Sequence, residues 1–132
     1  MRIVLSSYNE MYVIHCDSVL YMQADDHYTH VTYITGAHFM VPFGLSEVEK
    51  RLHALSADER FLIRVGRKYI INLHHVFHIN TVKQVALLAD ANGKSHSLTL
   101  PKPILRNLIE LLSGETGGEL TQVSEVILNH RV

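Results

Sequence analysis

The chain has 132 residues, 47% of them hydrophobic and 19% charged, with a formal net charge of −1. That composition gives one soluble domain with a real core, and it excludes both wholesale disorder and a second domain of similar size. The apolar runs are too short to span a bilayer and no signal-peptide pattern opens the chain, which with the single Cys16 fits a reducing cytoplasm.

The small net charge hides an uneven distribution. Residues 1–60 carry four Lys/Arg against eight Asp/Glu, residues 61–112 carry seven against two, and residues 113–132 carry one against three. Such asymmetry is the pattern of a chain that turns one basic face towards an anion, although a solvated surface can cluster charge in the same way.

Short β-like runs dominate the first forty residues. Ile3–Ser6, Met11–Cys16, Val19–Ala24, Tyr28–Thr35 and His38–Val41 are rich in Val, Ile, Thr and Tyr. Turn formers separate them: Tyr8-Asn9-Glu10, Asp17-Ser18, Asp25-Asp26 and Gly36-Ala37. Within YTHVTYIT, alternation sends Thr29, Val31 and Tyr33 to one face and Tyr28, His30, Thr32 and Ile34 to a decorated outer face. Leu45, Val48, Leu52 and Leu55 then recur at helical spacing, which predicts an amphipathic helix closed by Ser56-Ala57-Asp58-Glu59.

The segment Phe61–Asn72, FLIRVGRKYIIN, places Arg64, Arg67 and Lys68 among β-branched and aromatic residues. Burying unpaired charges costs several kcal/mol each, so the segment reads as a strand that surfaces, turns at Gly66 with all three cations in solvent, and submerges again at Tyr69. Leu73–Ile79, Val85–Ala89 and His96–Leu100 read as further strands, with Asp90-Ala91-Asn92-Gly93 as a hairpin turn. Pro101-Lys102-Pro103 opens a second helix that runs to Ser113-Gly114. The chain therefore divides into a domain at 1–113 and a tail at 114–132, whose Leu120, Val123 and Ile127 form an apolar stripe suited to docking or dimerisation.

Chemistry-bearing clusters are weak. His74 and His78 would share a face on a helix, but Val76, Phe77 and Ile79 favour a strand, and a structural zinc site lacks cysteine partners. Asp25-Asp26-His27 is better explained as a turn than as an acid–base pair. Gly93-Lys94-Ser95 resembles the end of a phosphate loop, but Leu88 occupies the position of the earlier glycine. No catalytic residue, metal or cofactor is assigned. The basic residues make a stronger constellation. Arg64, Arg67 and Lys68 form one group, Lys102 and Arg106 form another at a helix start that favours oxyanions, and Tyr28, Thr29 and His30 add neutral donors. The same residues also suit a solvated helix start and a core tyrosine.

In combination, VLYMQADDHYTHVTYIT, GLSEVEKRLHAL, FLIRVGRKYIINLHHVFHI and LTLPKPILRNLIELL resemble, in order, the elements of the LytTR-type DNA-binding domain of bacterial transcription regulators. The resemblance covers about residues 1–112, and its most diagnostic part is the Phe61/Arg64/Tyr69/Asn72 pattern. It implies a mainly β fold of small stacked antiparallel sheets, elongated, with one short helix in the middle and one near the end. It also implies that duplex DNA is read through loops rather than a recognition helix, with contacts at Tyr28, Thr29 and His30, at Gly66, Arg67 and Lys68, and at Lys102. This sequence has Gly66 where the family often has histidine and Lys68 where it often has serine, so its turn is more cationic.

The resulting expectation is sequence-specific duplex binding by a bacterial response-regulator-type protein, with two copies on repeated half-sites. Arg67 and Lys102 would face base edges, and Arg64, Lys68 and Arg106 would hold phosphates. Thr29 and His30 would contact the neighbouring groove. Such domains commonly follow a receiver domain in two-component systems, so a receiver or a sensor kinase is an implied partner. Only a few residues precede the first strand here, which suits a stand-alone regulator or a piece of a longer one. The rival reading is a protein-interaction module of the same fold that has lost DNA binding. RNA is a weaker third, because no exposed aromatic pair flanks a basic sheet face.

Overall fold

Alternating apolar residues and polar turns give the chain its strands, and the computed structural model describes them over residues 1–56 and 60–114. Strands β1 (Arg2–Ser6) and β2 (Met11–His15) form a hairpin. A 3-10 turn at Cys16–Ser18 leads into β3 (Val19–Asp25), β4 (Tyr28–Tyr33) and β5 (His38–Val41), followed by helix α1 (Leu45–His53). Then come β6 (Leu62–Val65), β7 (Tyr69–Asn72), β8 (Val76–Asn80), β9 (Val85–Ala89), β10 (Ser95–Thr99) and helix α2 (Lys102–Ser113). Over the described residues the fold is mainly β, with antiparallel sheets and two α-helices, as the sequence predicts. Among the described residues no helix is long and apolar enough to cross a membrane.

The strands make three sheets, ordered β1-β2, β5-β4-β3-β7-β6 and β10-β9-β8. The five-stranded sheet is the middle layer, and the period-2 alternation of its strands feeds two cores. Leu20, Ile63, Val65 and Ile71 face α2 and the three-stranded sheet, packing with Leu88, Leu105 and Leu108. Met22, Val31, Leu62 and Ile70 face α1 and the β1–β2 hairpin, packing with Leu5, Ile14, Val48 and Leu52. The sheet is thus covered on both faces.

Two local departures from the sequence reading follow from this layering. Thr32, expected on an outer face, is buried. Leu73 does not open a strand; Leu73–His75 is a 3-10 turn because the Asn72 carboxamide accepts the His74 amide at 2.9 Å while donating to the Val19 carbonyl at 2.8 Å. The β9–β10 hairpin turns at Gly93 (φ +81°), and its tip docks on the middle sheet through the Ala91 amide to the Ile34 carbonyl at 2.7 Å. The tail at 114–132 and the loop residues Ala57, Asp58 and Glu59 lie outside the described residues, Gly114 excepted.

Candidate nucleic-acid interface

Strands β6 and β7 pair antiparallel up to Val65 and Tyr69, leaving Gly66, Arg67 and Lys68 as a three-residue turn. Gly66 sits at φ +73°, where an L side chain is strained, so glycine permits the sharp reversal. The turn projects Arg67 and Lys68 into solvent, as the sequence reading requires. Tyr69, which follows, is half-buried, and that burial pushes its phenol above the ordinary value, so it remains a neutral group at the edge of the turn.

Arg64 departs from expectation. Its side chain is buried, not solvated, because strand alternation turns it, like Leu62, towards α1. There its guanidinium donates to Glu49 Oε1 at 3.1 Å and to Ser46 Oγ at 3.4 Å. Its remaining donors reach the Gly66 carbonyl at 3.1 Å and the Arg67 carbonyl at 2.8 Å. An arginine so engaged faces a carboxylate and peptide oxygens, so the phosphate-holding role expected of it is corrected. Thr29 is corrected likewise: it is fully buried, and its hydroxyl donates to the Phe43 carbonyl at 2.7 Å.

The other predicted residues gather at one end of the middle sheet. In β3, Gln23 pairs with His30 of β4 on one side and with Tyr69 of β7 on the other. That register sets the β3–β4 turn beside the β6–β7 turn. Tyr28 is exposed at the start of β4. His30 is half-buried, with Nε2 2.8 Å from Asp25 Oδ2 and Nδ1 2.9 Å from Nε2 of His38, whose ring stacks on it at 5.0 Å. The second basic group approaches from the other layer. Thr99, Leu100 and Pro101 line an open groove of about 270 Å³ together with Val65, Gly66, Arg67, Lys68 and Tyr69. Lys102 follows Pro101 directly and starts α2, and Arg106 lies one turn on; both are exposed.

Sequence reasoning missed Glu49, Ser46 and His38. Glu49 had a signal, since it stands four residues after Leu45 on the apolar face of α1, where an acidic residue needs a cation. The histidines serve in separate places: His75 Nδ1 lies 3.0 Å from the Ala89 carbonyl, and His96 Nε2 lies 3.0 Å from Asp90 Oδ2. Cys16 is buried, which pushes its thiol up to about 11 and keeps it protonated.

Residues 9–112 match the family model of the LytTr DNA-binding domain. The chain belongs to the LytTR family. The domain that defines this family is a DNA-binding domain. The chain is similar to the CO-responsive transcriptional regulator RcoM of Rhodospirillum rubrum, at 41% identity over 95 residues, 72% of this chain. The match spans only 38% of that relative's length. Among solved structures it resembles the LytTr DNA-binding domain of a putative methyl-accepting/DNA response regulator from Bacillus cereus, with a TM-score of 0.57 and 22% identity. That alignment covers 86% of this chain and 97% of the other, and at such identity it supports the LytTR fold alone.

Proposed function

We propose that this LytTR domain recognises specific duplex DNA sequences through turns at the end of its middle sheet and the start of α2, without a recognition helix. Arg67 reads a base edge, with guanine O6 and N7 as its preferred acceptors, and Lys102 reaches a second. Lys68 and Arg106 hold phosphates and set register, while Tyr28 and His30 contact the neighbouring groove. The observation that carries this reading is the groove shared by the Gly66–Lys68 turn and the Thr99–Pro101 segment, which leads directly into Lys102 at the start of α2. The buried Arg64–Glu49 pair adds no net attraction for a polyanion.

The unit that does this is residues 1–113, working as a cytoplasmic bacterial regulator with two copies on repeated half-sites and a receiver domain or sensor kinase upstream. Selection of bound duplexes from a random pool by the 132-residue chain tests the central claim. Enrichment of a short motif, present twice at fixed spacing, is the expected result; retention of all duplexes alike, or of none, would defeat it. A second reading, a protein-interaction module, draws on Phe39 and Met40, which are more than half exposed on the edge strand β5. It predicts no duplex retention even at low salt.

A further inference from the structure

We propose that Arg64 and Glu49 are positioning residues for DNA recognition, a buried strut from α1 that fixes where the Arg67 side chain begins. The inference rests on the duplex-binding reading and deepens it.

A three-residue turn that contains glycine has few constraints of its own, because glycine admits conformations closed to other residues. In this turn, however, every carbonyl is held from outside. Those of Gly66 and Arg67, in the two peptide units that flank the Arg67 α-carbon, take the Nε and Nη2 donors of Arg64 at 3.1 and 2.8 Å. The Lys68 carbonyl takes the Ala24 amide at 2.7 Å. Arg64 is itself oriented by Glu49 Oε1 at 3.1 Å, with both side chains more than nine-tenths buried. The chain of contacts therefore runs from α1 through the guanidinium to the backbone of the residue proposed to read a base.

Arginine suits this work because its planar fork presents several donors in fixed directions, whereas an ammonium is a single point charge. A side chain that must meet two acceptors on a base edge gains from a backbone already fixed in place, since less freedom is lost on binding. A role confined to core stability would leave base preference untouched, and a phosphate contact would appear in the salt dependence. The three alternatives thus separate.

The test uses the full chain with Arg64→Lys, which keeps a cation against Glu49 but cannot fork to both carbonyls. Duplex affinity is measured against the selected motif and its single-base variants over a salt series, and amide exchange is measured without DNA. At the base pair whose preference Arg67→Ala abolishes, Arg64→Lys should lose about tenfold of the discrimination, with the salt slope unchanged. Combining the two substitutions should cost no further discrimination. Without DNA, the Ala24 amide should exchange about tenfold faster while Ile70 and Ile71 keep parental rates.

A uniform loss across duplexes with a salt slope shallower by about one would overturn the proposal in favour of a phosphate contact. Parental discrimination and parental Ala24 exchange, with only a lowered melting temperature, would overturn it in favour of a core role. If Arg64→Lys does not fold, Glu49→Gln, which keeps the hydrogen-bonding shape without the charge, carries the same readouts. Should the parent select no duplex, the DNA reading falls, and the exchange rates alone decide whether the strut holds the turn.

Discussion

The amide of Ala24 donates to the carbonyl of Lys68 at 2.7 Å, so the last residue of the basic turn hangs from the penultimate residue of β3. Ala24 also pairs with Thr29 across β3 and β4. One peptide unit therefore ties together the two turns that carry Arg67 and Tyr28. The relative placement of these groups is built into the sheet register and does not depend on side-chain contacts between them.

Arg67→Ala should weaken binding to the selected duplex by about 1–3 kcal/mol and relax preference at one base pair. Lys68→Ala should weaken cognate and random duplexes alike. Titrations of both variants against both duplexes check the assignment; identical profiles for the two would contradict it.

Salt dependence should report the exposed cations only. With Arg64 buried against Glu49, the contacts left are Arg67, Lys68, Lys102 and Arg106. With Lys68 and Arg106 on phosphates, log K against log salt should fall with a slope of roughly −2, steepening towards −4 if Arg67 and Lys102 displace counterions from the grooves as well. A slope near zero is incompatible with the proposed interface.

Gly66→Ala tests the turn without introducing a clash, because nothing lies within 4 Å of the added Cβ at φ +73°. The left-handed backbone alone should cost about 1–2 kcal/mol. Chemical denaturation should show that loss. Asn, which tolerates this conformation better, should recover part of it. No loss with alanine would mean that the turn relaxes to another conformation, and duplex preference should then change.

Asp90 should contribute an acid-sensitive part of the stability. A hydrogen bond from His96, and then the amides of Lys94 and Asn92, hold its carboxyl below the ordinary value of 3.8, against an opposing contribution from burial. A depressed folded-state value means stability that is present above the unfolded value and lost as the pH falls through the folded one. The melting temperature of the parent should therefore drop more steeply below about pH 4 than that of Asp90→Asn, which cannot titrate. Parallel curves would show that the β9–β10 turn does not depend on this charge.

Much of the framework is legible in local sequence. The strand runs around Tyr28 and His38, the glycine turn at Gly66, the Asp90–Gly93 hairpin and the proline-led α2 all follow from propensity and period, which act over a few residues. What escapes is contact between segments. Arg64 looks solvated in its own strand because its carboxylate sits on a helix fifteen residues earlier in the chain. Thr29 looks like a surface donor until Phe43, fourteen residues later, supplies the acceptor. Asn72 stands out in the family pattern without showing why; its double hydrogen bond, which joins Val19 to the turn after β7, supplies the reason. The exposed members of the candidate site, Arg67, Lys68, Lys102 and Arg106, are the easier ones to find, since a charged side chain beside a glycine turn or at a helix start is expected in solvent without knowledge of its neighbours.

A middle sheet padded above and below has only its rim to offer a large rigid partner. If the duplex is met there, base preference resides in a few hairpin ends whose residues the two cores never see. New operators could then be acquired by exchanging turn residues, with little cost to folding, while the arginine beneath the turn has to stay.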